Sequence, residues 1–401
     1  MSNRKLYKVM PEHEYWNIVI HKIDDEIVPY VIEELRKVDS LLYRKIFADG
    51  NILTRIIPFR NLNNFIVNKK DVNHEFNQTI VAGVDSSRSP FLRIGTSYFA
   101  IVSSSSVIYD NGKKDKILRK IIVDVKRAPE ESDPEYALNE LRFSMFEQEI
   151  KALQQAINFF NEINKSPIIL IDGPIVDPPR FKVPGLTEKY NKYVSKRALL
   201  IEKIVKRKGI IVGIVKRILG NHLVRSVLNR VLGNIGLKLN DFTLLSMFFN
   251  KLITTYYSDK ITNDTDVILF TQPLELDEHN TDYGKYREFS YIKIYYSYIL
   301  LGAFNSKKIP LRMEFAIKED ETHIVDLAWY IVKMLYSLTP PGHKVPIPIY
   351  LAHRSCTINK KTSKKLLREM LSKFIHDSLT GMRNPSWSND LIYSISQEII
   401  E

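Results

Sequence analysis

Two short apolar runs punctuate the chain, and each stops at an aspartate. Thr79-Ile80-Val81-Ala82-Gly83-Val84 meets Asp85-Ser86-Ser87-Arg88, and Ile168-Ile169-Leu170-Ile171 meets Asp172-Gly173-Pro174. Continuous apolar runs of this length, bounded by polar or turn residues, read as buried strands. Between them, Phe91 to Ile108 is β-rich, Asn111-Gly112 marks a hairpin-type turn, and Ile121-Ile122-Val123-Asp124-Val125 is a further strand. A helix start then follows in order: Asp133 as N-cap, Pro134 at N1 and Glu135 in the first turn. Phe143, Phe146, Ile150, Leu153, Ile157 and Phe160 recur at helical spacing and carry that helix to about Asn161. A basic helix over about 187–207 leads to a strand from Gly209 to Val215, which ends at Lys216-Arg217. Further strands are expected at Asp266–Phe270, Tyr291–Phe304 and Leu311–Ile317. A Pro-punctuated segment then runs into Ile349-Tyr350-Leu351-Ala352, with His353 read as a strand-end residue. Strands, one long helix, then more strands with helices between them indicate an α/β fold on a mixed sheet. Residues 1–78 read as a mainly helical N-terminal region, residues 79–401 as the main domain, and about 189–238 as a basic insertion within it.

Composition narrows the function classes. With 401 residues, 44% of them hydrophobic, the chain can bury one large core or two ordinary ones. Its one cysteine, Cys356, excludes a disulfide framework or a cysteine-ligated metal cluster within one chain, and reads as a buried structural residue. The N-terminus, Met1 to Lys5, runs into Glu12 and Glu14 with no apolar h-region, so no secretory signal is expected. The uncharged apolar stretch Ile294 to Ser306 falls short of the roughly 20 residues a bilayer requires. A soluble cytoplasmic protein with no membrane contact is the expectation. The net charge is +12 and is concentrated. Lys189 to Lys238 holds 13 Lys/Arg against the single acid Glu202, and the rest of the chain is neutral. Clustered cations of this kind suit a polyanion such as nucleic acid.

The paired aspartates carry the chemistry. A carboxylate directly after a β run projects where ligands bind to sheets. Two of them, with a glutamate-bearing helix between, supply the hard oxygens that Mg²⁺ or Mn²⁺ requires. Two such ions about 3.5–4 Å apart clamp both oxygens of an in-line phosphodiester displacement. The helix offers Glu147 or Glu149; helical geometry puts Glu149 closer to the apolar stripe, so it is preferred. No P-loop, G-x-S-x-G, H-E-x-x-H or dinucleotide fingerprint is present.

The ordered set Val81–Ser87, the acid-bearing helix, Ile169–Pro174, Val212–Arg217, Pro310–Glu314 and Pro346–Arg354 resembles the NurA nucleases over roughly residues 78–360. The resemblance implies an RNase H-like mixed β-sheet flanked by helices, here with an N-terminal helical extension. It implies a manganese-dependent 5′-to-3′ DNA exonuclease with single-strand endonuclease activity, a homodimer, and partnership with a HerA-like hexameric ATPase in DNA end resection and double-strand break repair. Carried over by motif, Asp85, Glu149 and Asp172 would be metal ligands for Mn²⁺ or Mg²⁺, two ions in all, and His353 the active-site histidine. Arg88, Lys216 and Arg217 would contact DNA. The chain has Val345 where the family tends to have an aromatic. That difference keeps open a second expectation, a catalytically weakened paralogue acting as a DNA-binding clamp or scaffold subunit.

Overall fold

The computed structural model describes residues 28–41, 56–59, 61–94, 97–113, 117–129, 134–176, 186–218, 220–221, 223–224, 240–276, 283–302, 309–359, 361, 363–366, 368–369, 372 and 399–400. The chain divides into two compact units, Met1–Arg60 with Leu219–Leu252, and Asn61–Ile218 with Ile253–Glu401. In the first unit, helix Val28–Leu41 carries a Glu33–Lys37 ion pair one turn apart, 3.0 Å long. Helix Asp241–Leu252 opens on a buried carboxylate that accepts from the backbone N–H groups of Leu223 and Val224, both at 3.0 Å.

The second unit is built on one mixed sheet, eleven-stranded among the described residues. Its strands are β1 (Ile80–Arg88), β2 (Phe91–Ile94), β3 (Ser97–Asp110), β4 (Ile117–Pro129), β5 (Ile168–Asp172), β6 (Ile210–Val215), β7 (Leu269–Phe270), β8 (Leu274–Glu275), β9 (Ile292–Leu300), β10 (Leu311–Lys318) and β11 (Ile399–Ile400). The order is β8-β9-β10-β6-β5-β1-β3-β2-β11, with β4 also paired to β3 and β7 to β9. β1 pairs antiparallel with β3 from Ile80↔Asp110 to Arg88↔Val102 and parallel with β5 from Ala82↔Ile169 to Val84↔Ile171. β5 pairs parallel with β6, and β3 antiparallel with β4. In the central set β4-β3-β1-β5-β6, only β3 runs against the others. Helices flank it: α1 (Pro134–Glu162), α2 (Thr187–Lys206) and α3 (Ile347–Cys356). This is the expected RNase H-like α/β architecture.

The pleat assigns α1 and α3 to opposite faces of β1. A Cβ on Gly83 would lie 2.1 Å from the Pro348 carbonyl oxygen, so only glycine lets α3 approach this closely. Gly83 and Asp85 therefore face α3. The alternate residue Ser86 faces α1, where it meets Glu149. α1 buries Phe143, Leu153, Ile157 and Phe160 of the expected stripe. Its expected N-cap, Asp133, lies outside the described residues.

Three expectations about elements are corrected. Asp85 does not end its strand: β1 continues to Arg88 because β3 keeps pairing with it after the parallel partner has stopped at Val84↔Ile171. The run before His353 is helix α3, opened by prolines at the cap and second helical position, and it buries Pro348, Ile349, Ala352 and Cys356 at helical spacing. A short apolar run does not by itself separate strand from buried helix. The expected Asp266–Phe270 strand is two pieces: Thr265–Val267 pairs with Ile66–Asn68 in a separate ribbon, and Leu269–Phe270 joins the main sheet.

Candidate metal centre

Asp85 and Asp172 meet because β1 and β5 are parallel neighbours. Val84 and Ile171 are in register, so the next residues on both strands are the two aspartates. α3 brings His353 to the same point. The Ser105 hydroxyl, on β3 directly opposite Asp85, donates to the Ala352 carbonyl at 2.7 Å and ties down that end of the helix. Ser103 to Ser106 are all buried.

Asp85 is 5% exposed. Its Oδ1 accepts from the Ser86 N–H at 2.7 Å. Its Oδ2 lies 2.8 Å from His353 Nδ1 and accepts from the Cys356 thiol at 3.4 Å. Asp172 Oδ2 lies 3.4 Å from the same His353 Nδ1 and 2.6 Å from Lys216 Nζ. Ligand atoms of Asp85, Asp172 and His353 all fall within 4.8 Å of one another. Burial, and then the neighbouring Asp85 charge, push the Asp172 carboxyl above its ordinary range, against the pull of Lys216 and His353. The hydrogen bond to Asp85 raises the His353 imidazole above its usual value, with burial opposing. Burial, and then the Asp85 charge, hold the Cys356 thiol protonated, in keeping with a buried structural cysteine. Two converging carboxylates and an imidazole form a donor set that fits a divalent cation, Mn²⁺ or Mg²⁺, through hard oxygens and one nitrogen.

The structure does not bring Glu149 into this group. The residue is buried while Glu147 is exposed, as the helical face assignment expects. Its Oε1 receives Arg197 Nη1 at 2.6 Å and its Oε2 the Ser86 hydroxyl at 3.1 Å. Lys216 sits on Asp172, and Arg217 is exposed beside it. Arg88 is half-buried; it bonds the Ser89 carbonyl at 3.2 Å and covers the Phe91 ring at 4.3 Å. Much of the basic window is already engaged. Lys189 pairs with Glu140, Lys206 with Glu202 at 3.1 Å, and Arg207 bonds the Lys165 carbonyl. Residues 219, 222 and 225–238 of the window lie outside the described residues.

Two residues to which the sequence assigned no role support the site. Arg197 is 0% exposed. It shares the buried stripe of α2 with Tyr190, Val194 and Ile201, and a cation in an apolar stripe was the available signal. Glu314 on β10 is 1% exposed, accepts from the Ile175 N–H at 2.7 Å and pairs with Arg312 at 2.7 Å.

No family model and no curated protein matches the sequence. Among solved structures, the chain is similar to endonuclease V from Bacillus subtilis, at 13% identity and TM-score 0.30 over 76% of this chain and 91% of that one. It is similar to the catalytic domain of human endonuclease V, at 13% identity and TM-score 0.32 over 77% and 93%. It is also similar to Ciona intestinalis endonuclease V in complex with an inosine-containing 24mer DNA, at 13% identity and TM-score 0.31 over 75% and 95%. Likenesses this distant say nothing of this chain's activity. Among the described residues, no helix is long and apolar enough to cross a membrane.

Proposed function

We propose that this chain is a metal-dependent DNA nuclease of the NurA kind, acting in DNA end resection. The observation that carries the reading is the convergence of Asp85, Asp172 and His353 where neighbouring parallel strands of an RNase H-like sheet end their pairing. Asp85 and Asp172 hold a Mn²⁺ or Mg²⁺ ion. Such an ion supplies Lewis acidity toward a phosphodiester and lowers the pKa of water. His353 is about half exposed and anchored through Nδ1, which suits a residue that orients the site's polar groups and exchanges a proton with the substrate's oxygens. Lys216, on the rim beside Asp172, and exposed Arg217 meet the phosphate backbone.

The chain lacks a phosphate loop. Separating duplex strands therefore falls to a partner, a HerA-like hexameric ATPase in this reading, with the nuclease as a homodimer. The Glu149–Arg197 pair favours a second reading, a weakened subunit that clamps DNA without cutting it. A Mn²⁺ titration on end-labelled single-stranded and blunt duplex DNA separates the two. The nuclease reading expects metal-dependent shortening of the label. Full-length DNA that stays bound at every Mn²⁺ concentration would establish the clamp.

A further inference from the structure

We infer that Arg197 is the positioning residue of this metal centre: it holds Glu149 away from the ion and fastens the loop that presents Asp172. The inference rests on the reading of Asp85 and Asp172 as ion ligands beside His353, and concerns a residue that reading does not use. Arg197 is wholly buried. Nη1 donates to Glu149 Oε1 at 2.6 Å and to the Tyr193 hydroxyl at 3.0 Å. Nε donates to the Ile175 carbonyl at 2.9 Å, and Nη2 to the Pro174 carbonyl at 3.1 Å. One guanidinium thus ties α1 and α2 to the turn that immediately follows Asp172.

The other Glu149 oxygen is taken by Ser86, so protein donors meet both carboxylate oxygens. Ser86 and Asp85 point to opposite faces of β1, and Glu149 approaches from the α1 side while His353 approaches from the α3 side. Recruiting Glu149 to an ion would mean breaking a buried charge-assisted pair and stranding the guanidinium, which is strongly unfavourable. The turn is fastened on its other side too. The Ile175 N–H is held by Glu314, and the Gly173 N–H donates to the Ile214 carbonyl at 3.1 Å. A Cβ on Gly213 would lie 2.6 Å from the Gly173 carbonyl oxygen, so the turn and β6 fit without slack. Lysine at position 197 could still neutralise Glu149, but its single ammonium cannot bridge four acceptors on three elements.

The test counts Mn²⁺ bound to the full-length chain by the loss of the free-ion paramagnetic resonance signal, with melting temperature measured in parallel. Wild type is expected to bind roughly one ion per chain, and Glu149→Gln to keep that count. Arg197→Lys is expected to weaken Mn²⁺ binding by about 10–100-fold, the effect of losing an outer partner of a ligand. A defect confined to folding would lower melting temperature without changing Mn²⁺ affinity in the folded fraction. If Arg197→Lys does not fold, Glu149→Gln decides alone. A wild-type count of two that falls to one in Glu149→Gln would overturn the inference, as would wild-type affinity in Arg197→Lys. Mn²⁺ binding that survives Asp172→Asn is a separate result; it would overturn the metal-centre reading, and this inference with it.

Discussion

At His353 a proton and a neighbouring ion compete. Its Nδ1 lies between two carboxylates, and the Asp85 hydrogen bond raises the imidazole above its ordinary value. The stability this contact gives the metal-free protein is full below the unfolded histidine value and is lost as pH rises through the raised folded value. An ion held by Asp85 and Asp172 meets the imidazolium as a like charge, so metal affinity follows the opposite course. Below the raised value, Mn²⁺ affinity should fall about tenfold per pH unit, and His353→Ala should flatten that dependence in a calorimetric titration. His353→Ala should also lower turnover more than DNA affinity; equal losses in both would assign the residue to binding. Gly83 is the other informative position. Gly83→Ala puts a methyl group into the backbone of α3, which cannot rotate away, so at least about 3 kcal/mol of destabilisation is expected in thermal or urea unfolding.

Among elements, α3 decides whether the two aspartates become a site. Its seat depends on Gly83 and on the Ser105 bond to the Ala352 carbonyl. Ser105→Ala leaves that carbonyl without its donor and should cost about 1–3 kcal/mol, read as a lower melting temperature with weakened Mn²⁺ binding. The strands that carry Asp85 and Asp172 were legible in the sequence because each is a dense apolar run cut by a polar residue, and buried parallel strands produce that pattern. The long helix was legible from its proline start and six-membered stripe. The nature of α3 was not, because four apolar residues beside prolines satisfy strand and helix patterns equally. Arg197 was hidden for a related reason. Thirteen cations in 50 residues read as one polyanion surface, whereas the fold turns this one inward. Nothing local in the sequence distinguishes a solvated arginine from a buried clamp except its place in the apolar stripe.

For the whole molecule, charge is the property that sequence reports and the fold redistributes. Lys189, Lys206 and Arg197 of the basic window pair with Glu140, Glu202 and Glu149, so net charge overstates the cations offered to DNA. Arg217, exposed at the end of β6, remains placed to meet phosphate, and Lys216 would join it once an ion takes Asp172 from it. Replacing both with alanine should flatten the log–log salt dependence of DNA affinity by about one to two units. An unchanged slope would assign this rim to a protein partner. The central claim is that Asp85 serves an ion that cuts DNA, and the most direct measurement is single-turnover cleavage of end-labelled DNA in Mn²⁺ by wild type and Asp85→Asn, with DNA binding measured on the same samples. The account predicts at least about a 100-fold loss of cleavage, beyond what outer partners cost, with DNA binding near wild type. Cleavage by Asp85→Asn at the wild-type rate would contradict it.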